Sequence, residues 1–182
     1  MKSGSVAKRY AAALLQVAKS ENKVSDYLSE LERVVAMERD SRELQSFLAS
    51  PVVKSGAKKA FFKAVAEKLQ LSPMMLNFIY VLLDHDHGDD LGLVYFLYRD
   101  MADEILGQIR VAVTSAAPLG AQEEKLKSLL AARFKQKILI VTKVDPEVLG
   151  GLTIQVKDLV FDGSLRRELE RVKAAIVLKA VA

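Results

Sequence analysis

The spacing of apolar residues changes near Gly107, and this change constrains the fold more than any other feature of the chain. Before it, apolar residues recur every three to four positions, the pattern of amphipathic helices. After it, Ile109, Val111 and Val113 alternate with other residues, the period of a half-buried strand. Charge shifts at the same place: residues 1–105 carry 14 Lys and Arg against 15 Asp and Glu, whereas residues 106–182 carry 13 against 8. We predict an all-helical domain over residues 1–106 and a small α+β domain over residues 107–182.

Six helices are predicted in the first domain. Ser41 and Ser55 are placed to start the third and fourth, and Ser72 followed by Pro73 is typical of the N-cap and first position of a fifth. The fifth helix, with the sequence MMLNFIYVLL, is apolar on almost every side. Two interpretations stay open for it: a central core helix, or a helix whose spare surface receives another helix.

The second domain is predicted to contain a short sheet and two helices. A strand around Val111 precedes an amphipathic helix with Leu126, Leu129, Leu130 and Phe134, and the run KILIVTKV then predicts another strand. Strand, helix and strand in this order indicate a crossover between parallel or neighbouring strands.

The run from Asp145 to Leu169 is dense in turn and strand signals. Gly150 and Gly151 permit positive backbone dihedrals, and the alternation that follows predicts a strand over residues 152–156. Residues 159–161 predict a second strand of a hairpin, and Ser164 is placed to cap the last helix. Asp162 and Gly163 are interpreted as a turn between that strand and that helix.

Composition narrows the class of protein. The chain has no cysteine, which excludes disulfides and thiol chemistry, and no apolar run approaches the ~20 residues of a membrane span. The first 18 residues weakly resemble a signal peptide, but their helical period continues with no convincing cleavage site, so we interpret them as mature structure.

The segment DHDHGDD, residues 84–90, is the one candidate for metal chemistry. His85, His87 and Asp89 give the spacing H-x-H-x-D, but these are the only two histidines of the chain. Because Asp and Gly are common at a corner between helices, we favour a structural corner over a metal-dependent hydrolase. No phosphate loop or hydrolytic triad is recognisable, so we predict a chain that is not an enzyme and needs no cofactor or metal.

Three separated motifs resemble the delta subunit family of bacterial F-type ATP synthase, which includes the mitochondrial oligomycin-sensitivity-conferring protein. They are VAKRYAAAL at residues 6–14, VTSAAPL at residues 113–119, and the run from residue 145 to residue 169. The resemblance covers essentially the whole chain in order. The signature positions of its last motif are Asp145, Gly150, Gly151, Asp162, Gly163 and Ser164.

Two positions depart from the family pattern. Lys157 stands where the family usually has Gly in the hairpin turn, so a turn with positive dihedrals there would cost about 1 kcal/mol or more. The sequence His87-Gly88-Asp89 stands where the family has Asn-Gly-Arg, which reverses a charge.

The resemblance implies a non-catalytic stator subunit. The helical domain would bind the catalytic head, chiefly the amino-terminal segments of the alpha subunits with the beta subunits nearby, and the second domain would bind the b subunits of the peripheral stalk. The chain would be a peripheral membrane protein on the cytoplasmic face of the bacterial cell membrane, attached only through the complex. Ion selectivity lies in other subunits of such a complex, so this chain does not set the coupling ion.

The family's main groove lies between its first and fifth helices, which indicates an interface on those helices here. We predict a role for Tyr10, Ala13, Leu14, Val17, Phe78, Ile79, Val81 and Leu82, although each is equally consistent with the core. For the second domain, Ile138, Ile140, Leu152 and Ile154 are either its binding surface or its interior.

A nucleic-acid-binding module that uses the basic C-terminal half is the alternative function. Its basic residues are interleaved with Glu, and no RNA-binding aromatic motif is visible, which favours a solvated surface. Salt-dependent binding of random DNA would support this alternative, and stoichiometric metal in purified protein would support the hydrolase. Co-purification with the catalytic head and the b subunits would support the stator.

Overall fold

The computed structural model describes residues 3–120, 122–145, 150–156 and 159–167, together with residues 169, 171 and 173. The chain forms two compact units, Met1–Ala102 and Asp103–Ala182. The fold is α+β, as the helical period followed by strand alternation predicted. The division between the two units falls a few residues before the predicted domain boundary. The first seven helices of the described chain are α1 (Ser3–Ser20), α2 (Val24–Asp40), α3 (Arg42–Ala49), α4 (Ser55–Val65), α5 (Pro73–Asp84), a single 3-10 turn (Gly88–Asp90) and α6 (Leu91–Ile105).

Helices α3 and α5 start at the serines that the sequence places as capping residues. The Ser41 hydroxyl accepts a hydrogen bond from the Leu44 N–H at 3.2 Å, and Ser72 accepts one from the Met75 N–H at 3.2 Å. Each bond satisfies one of the N–H groups that the first turn of a helix leaves without a partner. Pro73 occupies the first turn of α5, where its missing N–H costs nothing.

Helix α2 fixes the loop that leads into α5. The carboxylate of Glu30, which is buried, accepts hydrogen bonds from the backbone N–H and the hydroxyl of Ser72 at 2.8 and 2.9 Å. Arg33, about one turn further along α2, also holds this loop: its guanidinium donates hydrogen bonds to the Leu69 and Gln70 carbonyls at 2.7 and 3.0 Å. Three backbone groups of the loop are thereby satisfied from one helix, and the start of α5 is positioned by α2.

The bundle core is built around large side chains that solvent does not reach. Tyr98 is buried and donates its hydroxyl hydrogen to the Val24 carbonyl at 3.1 Å, which satisfies the one polar atom of that ring. Burial of this ring raises the pKa of its hydroxyl. Its largest neighbours in the core are Tyr27, Leu31, Phe62, Met75, Ile79 and Leu82.

The second unit contains a four-stranded mixed sheet with the strand order β2-β1-β3-β4. Strands β1 and β2 are parallel and are joined through α7, which is the predicted crossover, whereas β3 pairs antiparallel with both β1 and β4. Its elements are β1 (Gln108–Ser115), α7 (Gln122–Phe134), β2 (Lys137–Val144), β3 (Gly151–Val156) and β4 (Leu159–Ser164).

One face of the sheet is apolar, and α7 covers part of it. Val111 and Val113 of β1 are fully buried there, and Leu126, Leu130 and Phe134 of α7 pack against them. Leu129, predicted on the same apolar side of α7, is instead 62% exposed. The prediction was wrong for this residue, because the apolar stripe of α7 is narrower than the run of leucines in its sequence.

The prediction of a turn at Asp162-Gly163 was also wrong. Both residues lie in β4, where Asp162 pairs with Thr153 and Gly163 with Leu152. β4 is an edge strand, a position that tolerates Asp and Gly better than a central strand does. The hairpin turn that contains Lys157 lies outside the described residues, and so does Pro146, which follows Asp145 in a pair of residues typical of a turn.

Candidate functional site: a groove on the helical bundle

Helix α1 presents a partly exposed apolar stripe beside its buried face. Tyr10 and Val17 are half-buried and Ala13 is exposed, and these positions recur every three or four residues. The buried face of the same helix is formed by Ala7, Ala11 and Ala18, which have no exposed surface. The small side chain of Ala13 leaves the backbone of α1 open to close approach by another helix.

Helix α5 presents a matching stripe. Phe78 is half-buried, while Met74 and Val81 are 37% and 46% exposed. The three positions have the spacing i, i+4 and i+7 of one helix face. Met74 was not among the residues predicted for this site, because a helix that is apolar on nearly every side gives no periodic signal to separate its exposed residues from its core.

Aromatic contacts bring the two stripes together. The rings of Tyr10 and Phe78 meet edge to face, with centroids 6.4 Å apart and planes at 77°. The same Tyr10 ring lies 5.7 Å from the imidazole of His87, just beyond the end of α5. Edge-to-face contacts of this kind fix the orientation of large rings. Tyr10 and Phe78 therefore form the floor of a groove between α1 and α5, and Ala13 and Val81 are exposed beside this floor.

Three of the predicted groove residues lie beneath this floor. Leu14 is 2% exposed, and Ile79 and Leu82 have no exposed surface. All three belong to the bundle core, so a partner cannot contact their side chains unless the bundle rearranges. Their part is to hold α1 and α5 in place, while the accessible apolar surface comes from Tyr10, Ala13, Val17, Met74, Phe78 and Val81.

The corner between α5 and α6 is built by internal contacts. Nδ1 of His87 lies 2.9 Å from a carboxylate oxygen of Asp90, whose side chain is nearly buried. Gly88 fits closely beneath, since a Cβ there would lie 2.8 Å from Leu83 Cδ2. His85 is exposed, and the described residues contain no group of three or more His, Cys, Asp or Glu placed to hold a metal ion. The segment that resembled a metal motif acts as a structural junction at one end of the groove.

Asp89, where the family has Arg, is exposed at this corner and acts on a carboxyl of α2. Burial, with a smaller contribution from the negative charge of Asp89, raises the pKa of Glu38. One carboxyl oxygen of Glu38 is buried and has no hydrogen-bond partner among the described residues. Ionised Glu38 therefore destabilises the bundle in this region.

On the sheet unit, rows of paired apolar residues run from the core to the solvent. Val113 is buried and pairs with Ile154, which pairs in turn with Phe161, and Phe161 is 54% exposed. A second row runs from Val111 through Val156 to Leu159, which is also exposed. Ile138, Ile140, Leu152 and Ile154, predicted as surface or interior, lie in or against the core beneath α7.

The edge strand borders an open pocket of about 460 Å³. Ile154 and Phe161 give it an apolar wall, and Asp162 and Arg167 give it a charged rim. The exposed apolar side chains of this edge strand are Leu159, Val160 and Phe161, and we call them the β4 edge patch.

The signature residues hold the sheet in shape. Gly151 has φ +82°, and a Cβ there would lie 2.2 Å from the Gly163 carbonyl oxygen, so only glycine fits. Gly150 accepts a hydrogen bond at its carbonyl from the Leu165 N–H at 2.9 Å, and the Asp145 N–H donates to the Ser115 carbonyl at 2.9 Å. These contacts all lie within the sheet unit.

Two other signature residues, Asp162 and Ser164, join the end of β4 to the start of the last helical segment. The Asp162 carboxylate accepts hydrogen bonds from the Ser164 N–H at 2.9 Å and from the Thr153 hydroxyl at 3.3 Å. The bonds from Ser164 lead the interactions that lower the pKa of Asp162. The Ser164 hydroxyl accepts from the Arg167 N–H at 3.4 Å, which confirms the predicted cap.

Comparison with known proteins places the chain in a family. The model of the family described as ATP synthase delta (OSCP) subunit matches residues 6–176. The ATP synthase subunit delta of Citrifermentans bemidjiense is 36% identical over 174 residues, which cover 95% of this chain and 97% of the relative. That of Geobacter metallireducens is 37% identical over 174 residues, with the same coverage. That of Symbiobacterium thermophilum is 31% identical over 178 residues, 97% of this chain and 95% of the relative.

A solved structure has the same fold. A chain in the cryo-EM structure of the Toxoplasma gondii mitochondrial ATP synthase hexamer matches with a TM-score of 0.72 at 21% identity, covering 94% of this chain and 97% of that one. At this identity the likeness concerns the fold. Among the described residues, no helix is both long and apolar enough to cross a bilayer.

Proposed function

The chain belongs to the ATP synthase delta (OSCP) subunit family, and we propose that it uses the two surfaces described above to connect the head of that enzyme to its peripheral stalk. It is a non-catalytic stator subunit of ATP synthase, and its partners are other subunits of that complex. The matches give no support to the nucleic-acid alternative.

The groove between α1 and α5 is proposed to bind an amino-terminal helical segment of an α subunit, at the top of the head formed with the β subunits. The observation that carries this proposal is the pairing of two partly exposed apolar stripes through Tyr10 and Phe78. An amphipathic helix laid along such a groove buries its apolar residues at spacings of three and four. The exposed Ala13 and Val81 supply surface that gains from that burial.

The sheet unit is proposed to bind the b subunits of the peripheral stalk through the β4 edge patch. The apolar rows that begin in the core at Val111 and Val113 end in solvent at Leu159 and Phe161. An exposed apolar edge next to a pocket is the kind of surface that protein partners cover. Since the b subunits enter the membrane, the complex would hold this chain at the cytoplasmic face of the bacterial cell membrane.

The proposal for the groove is tested with Ala13→Asp. The new carboxylate would lie on the exposed side of α1, so the bundle should stay folded, while burial of that charge under an apolar partner is unfavourable. We expect the affinity for a synthetic peptide of the α subunit's amino-terminal segment, from the same genome, to fall about tenfold or more, or ~1.4 kcal/mol. Isothermal titration calorimetry on the full chain measures it.

The matched control is Ala64→Asp, at an exposed position of α4. It makes the same chemical change in a helix and carries a similar helix-propensity cost of about half a kcal/mol. Its affinity for the peptide should equal that of the unaltered chain. An unchanged affinity for Ala13→Asp, with both variants folded by circular dichroism, would show that the groove is not the binding site.

A further inference from the structure

Helix α1 carries charge of one sign only. Between Ser3 and Ser20 it has three basic residues, Lys8, Arg9 and Lys19, and no Asp or Glu. All three basic residues are exposed. Every charged side chain that α1 contributes between Ser3 and Ser20 is therefore positive.

Only one of these cations borders the groove. At about 100° per residue, Arg9 lies about 40° around the helix axis from Ala13, whereas Lys8 and Lys19 lie about 140° and 120° away. Within the stripe, half-buried Tyr10 lies on the side of Ala13 that is nearer the buried face, so Arg9 is on the outer, solvent side of Ala13. Arg9 is thus the charged residue at the α1 rim, and Lys8 is its neighbour on a different side of the helix.

The guanidinium of Arg9 has no intramolecular counterion in the part of the chain that the structure describes. Each ion pair there joins other residues, and none places a carboxylate within 4 Å of Arg9. The exposed carboxylates of the nearby corner, Asp86 and Asp89, form no ion pair with it either. Arg9 is free to bind a carboxylate supplied from outside.

The opposite rim of the groove differs in charge. On α5, the corresponding positions are Asn77, which is neutral, and Asp84, whose carboxylate lies 2.6 Å from the Lys59 ammonium of α4. The two charges of this ion pair cancel, and the Asp84 carboxylate already has Lys59 as its partner. Among the described residues, Arg9 along α1 has no ion-pair partner, whereas the one carboxylate along α5, that of Asp84, is paired with Lys59. This asymmetry distinguishes the two edges of the groove.

We infer that the helix which occupies the groove carries a carboxylate on its α1-facing edge, that Arg9 pairs with it, and that this pair sets which way the bound helix is rotated about its own axis. The inference rests on the proposed function of the groove. Arginine suits this role because its planar guanidinium can bind both oxygens of one carboxylate. The apolar stripes supply burial but no such orientation, because apolar contact is not directional.

The experiment uses the full chain and a synthetic peptide of the α subunit's amino-terminal segment from the same genome. Arg9→Glu should weaken binding about fivefold, and the loss should shrink as salt is raised from about 50 to 500 mM. Lys8→Glu is the matched control, with an equal change of charge one residue away, and it should change the dissociation constant less than twofold. A peptide with its acidic residue replaced by Lys should recover binding to the Arg9→Glu chain.

The outcomes separate the two proposals. Equal effects of Arg9→Glu and Lys8→Glu, or no recovery with the charge-swapped peptide, would overturn the pairing of Arg9 even if Ala13→Asp abolishes binding. If the unaltered chain does not bind the peptide, or Ala13→Asp has no effect, the groove itself is not the site and the inference fails with it. Both variants lie on the exposed side of α1, so calorimetry is interpretable once circular dichroism shows intact helices.

Discussion

The helical unit and the sheet unit bury their apolar residues to very different extents. In the bundle, Phe62, Tyr98 and their neighbours are fully enclosed, and the apolar residues left in solvent on α1 and α5 form narrow stripes. In the sheet unit, the apolar face runs without interruption from buried Val113 to exposed Phe161. A bundle can close its core on all sides and keep a groove as a separate feature, whereas an edge strand exposes part of the core face itself.

This difference has a consequence for how substitutions act. In the bundle, a residue such as Ala13 can be changed without touching the core, so binding and folding are separable. In the sheet unit, the exposed Phe161 pairs directly with Ile154, which packs against the core. Changes at the β4 edge patch are therefore expected to affect binding and folding together, and the predictions below test this contrast.

Gly151→Ala should have the largest effect. A Cβ there would lie 2.2 Å from the Gly163 carbonyl oxygen, and the backbone at φ +82° disfavours any L side chain. We expect the sheet to lose about 3 kcal/mol or more of stability. Hydrogen exchange read by mass spectrometry should show lost protection in β1 and β3 but unchanged protection in α2 and α5.

The control for that experiment is a glycine of the bundle. Gly92 lies in α6 with nothing within 4 Å of an added Cβ, so Gly92→Ala should leave protection unchanged or raise it by up to about 1 kcal/mol. Equal loss of protection in both units after Gly151→Ala would show that they do not unfold separately.

Phe161→Ser should have an intermediate effect, and it should lower both the affinity for the stalk and the stability of the sheet unit. Loss of this exposed ring from the β4 edge patch should weaken binding of a carboxy-terminal segment of the b subunit from the same genome about tenfold, or ~1.4 kcal/mol. It should also destabilise the sheet unit by about 1 kcal/mol, since the ring pairs with Ile154. Calorimetry and urea unfolding measure the two quantities.

Leu129→Ser is the comparison for Phe161→Ser. Leu129 is a large apolar residue of the same unit with similar exposure, but it lies on α7. We expect it to leave b-segment binding unchanged. If Leu129→Ser weakens binding as much as Phe161→Ser does, the β4 edge patch is not the specific surface.

Glu38→Gln should have the smallest effect, and it depends on pH. Burial, and then the charge of Asp89, raises the pKa of Glu38 above its ordinary value of 4.5. A raised folded-state pKa means that this group favours folding most below pH 4.5, and that its contribution falls as pH rises through the folded value. At pH 7 the amide should therefore stabilise the bundle, by less than about 1 kcal/mol.

Urea unfolding at pH 4 and pH 7 tests the prediction. The gain from Glu38→Gln should be present at pH 7 and shrink or vanish at pH 4. Glu32→Gln, at an exposed position of the same helix, should change stability little at either pH. A gain of equal size at both pH values would mean that ionisation of Glu38 is not its cause.

Much of the fold could be predicted from local sequence, because its signals are local. Ser72 and Pro73 mark the start of α5 through the chemistry of a helix end, and the alternation around Val111 marks β1. The edge strand was harder: Asp162 and Gly163 favour turns in general, and only the pairing with Thr153 and Leu152 holds them in β4. Strand pairing is non-local and is not visible in a short window of sequence.

The site was predictable only in part, for a related reason. The resemblance to the family indicated α1 and α5, but the sequence did not separate exposed Val81 from buried Leu82, since both are large and apolar. Met74 was missed for the same reason. Which side of an all-apolar helix faces solvent depends on its neighbours in the fold, which a short window of sequence does not reveal.

The attachment of α5 to α2 has a mechanical consequence. A partner held in the groove would pull on α5. The start of that helix is tied to α2 by the two hydrogen bonds that Glu30 accepts from Ser72. Arg33 holds the preceding backbone at Leu69 and Gln70, so the tether has two anchor points along one stiff helix. Force applied along α5 would therefore be shared with α2, and these bonds would resist the sliding of α5 out of the bundle. An elastic load on the stator would be carried by short polar bonds as well as by apolar packing.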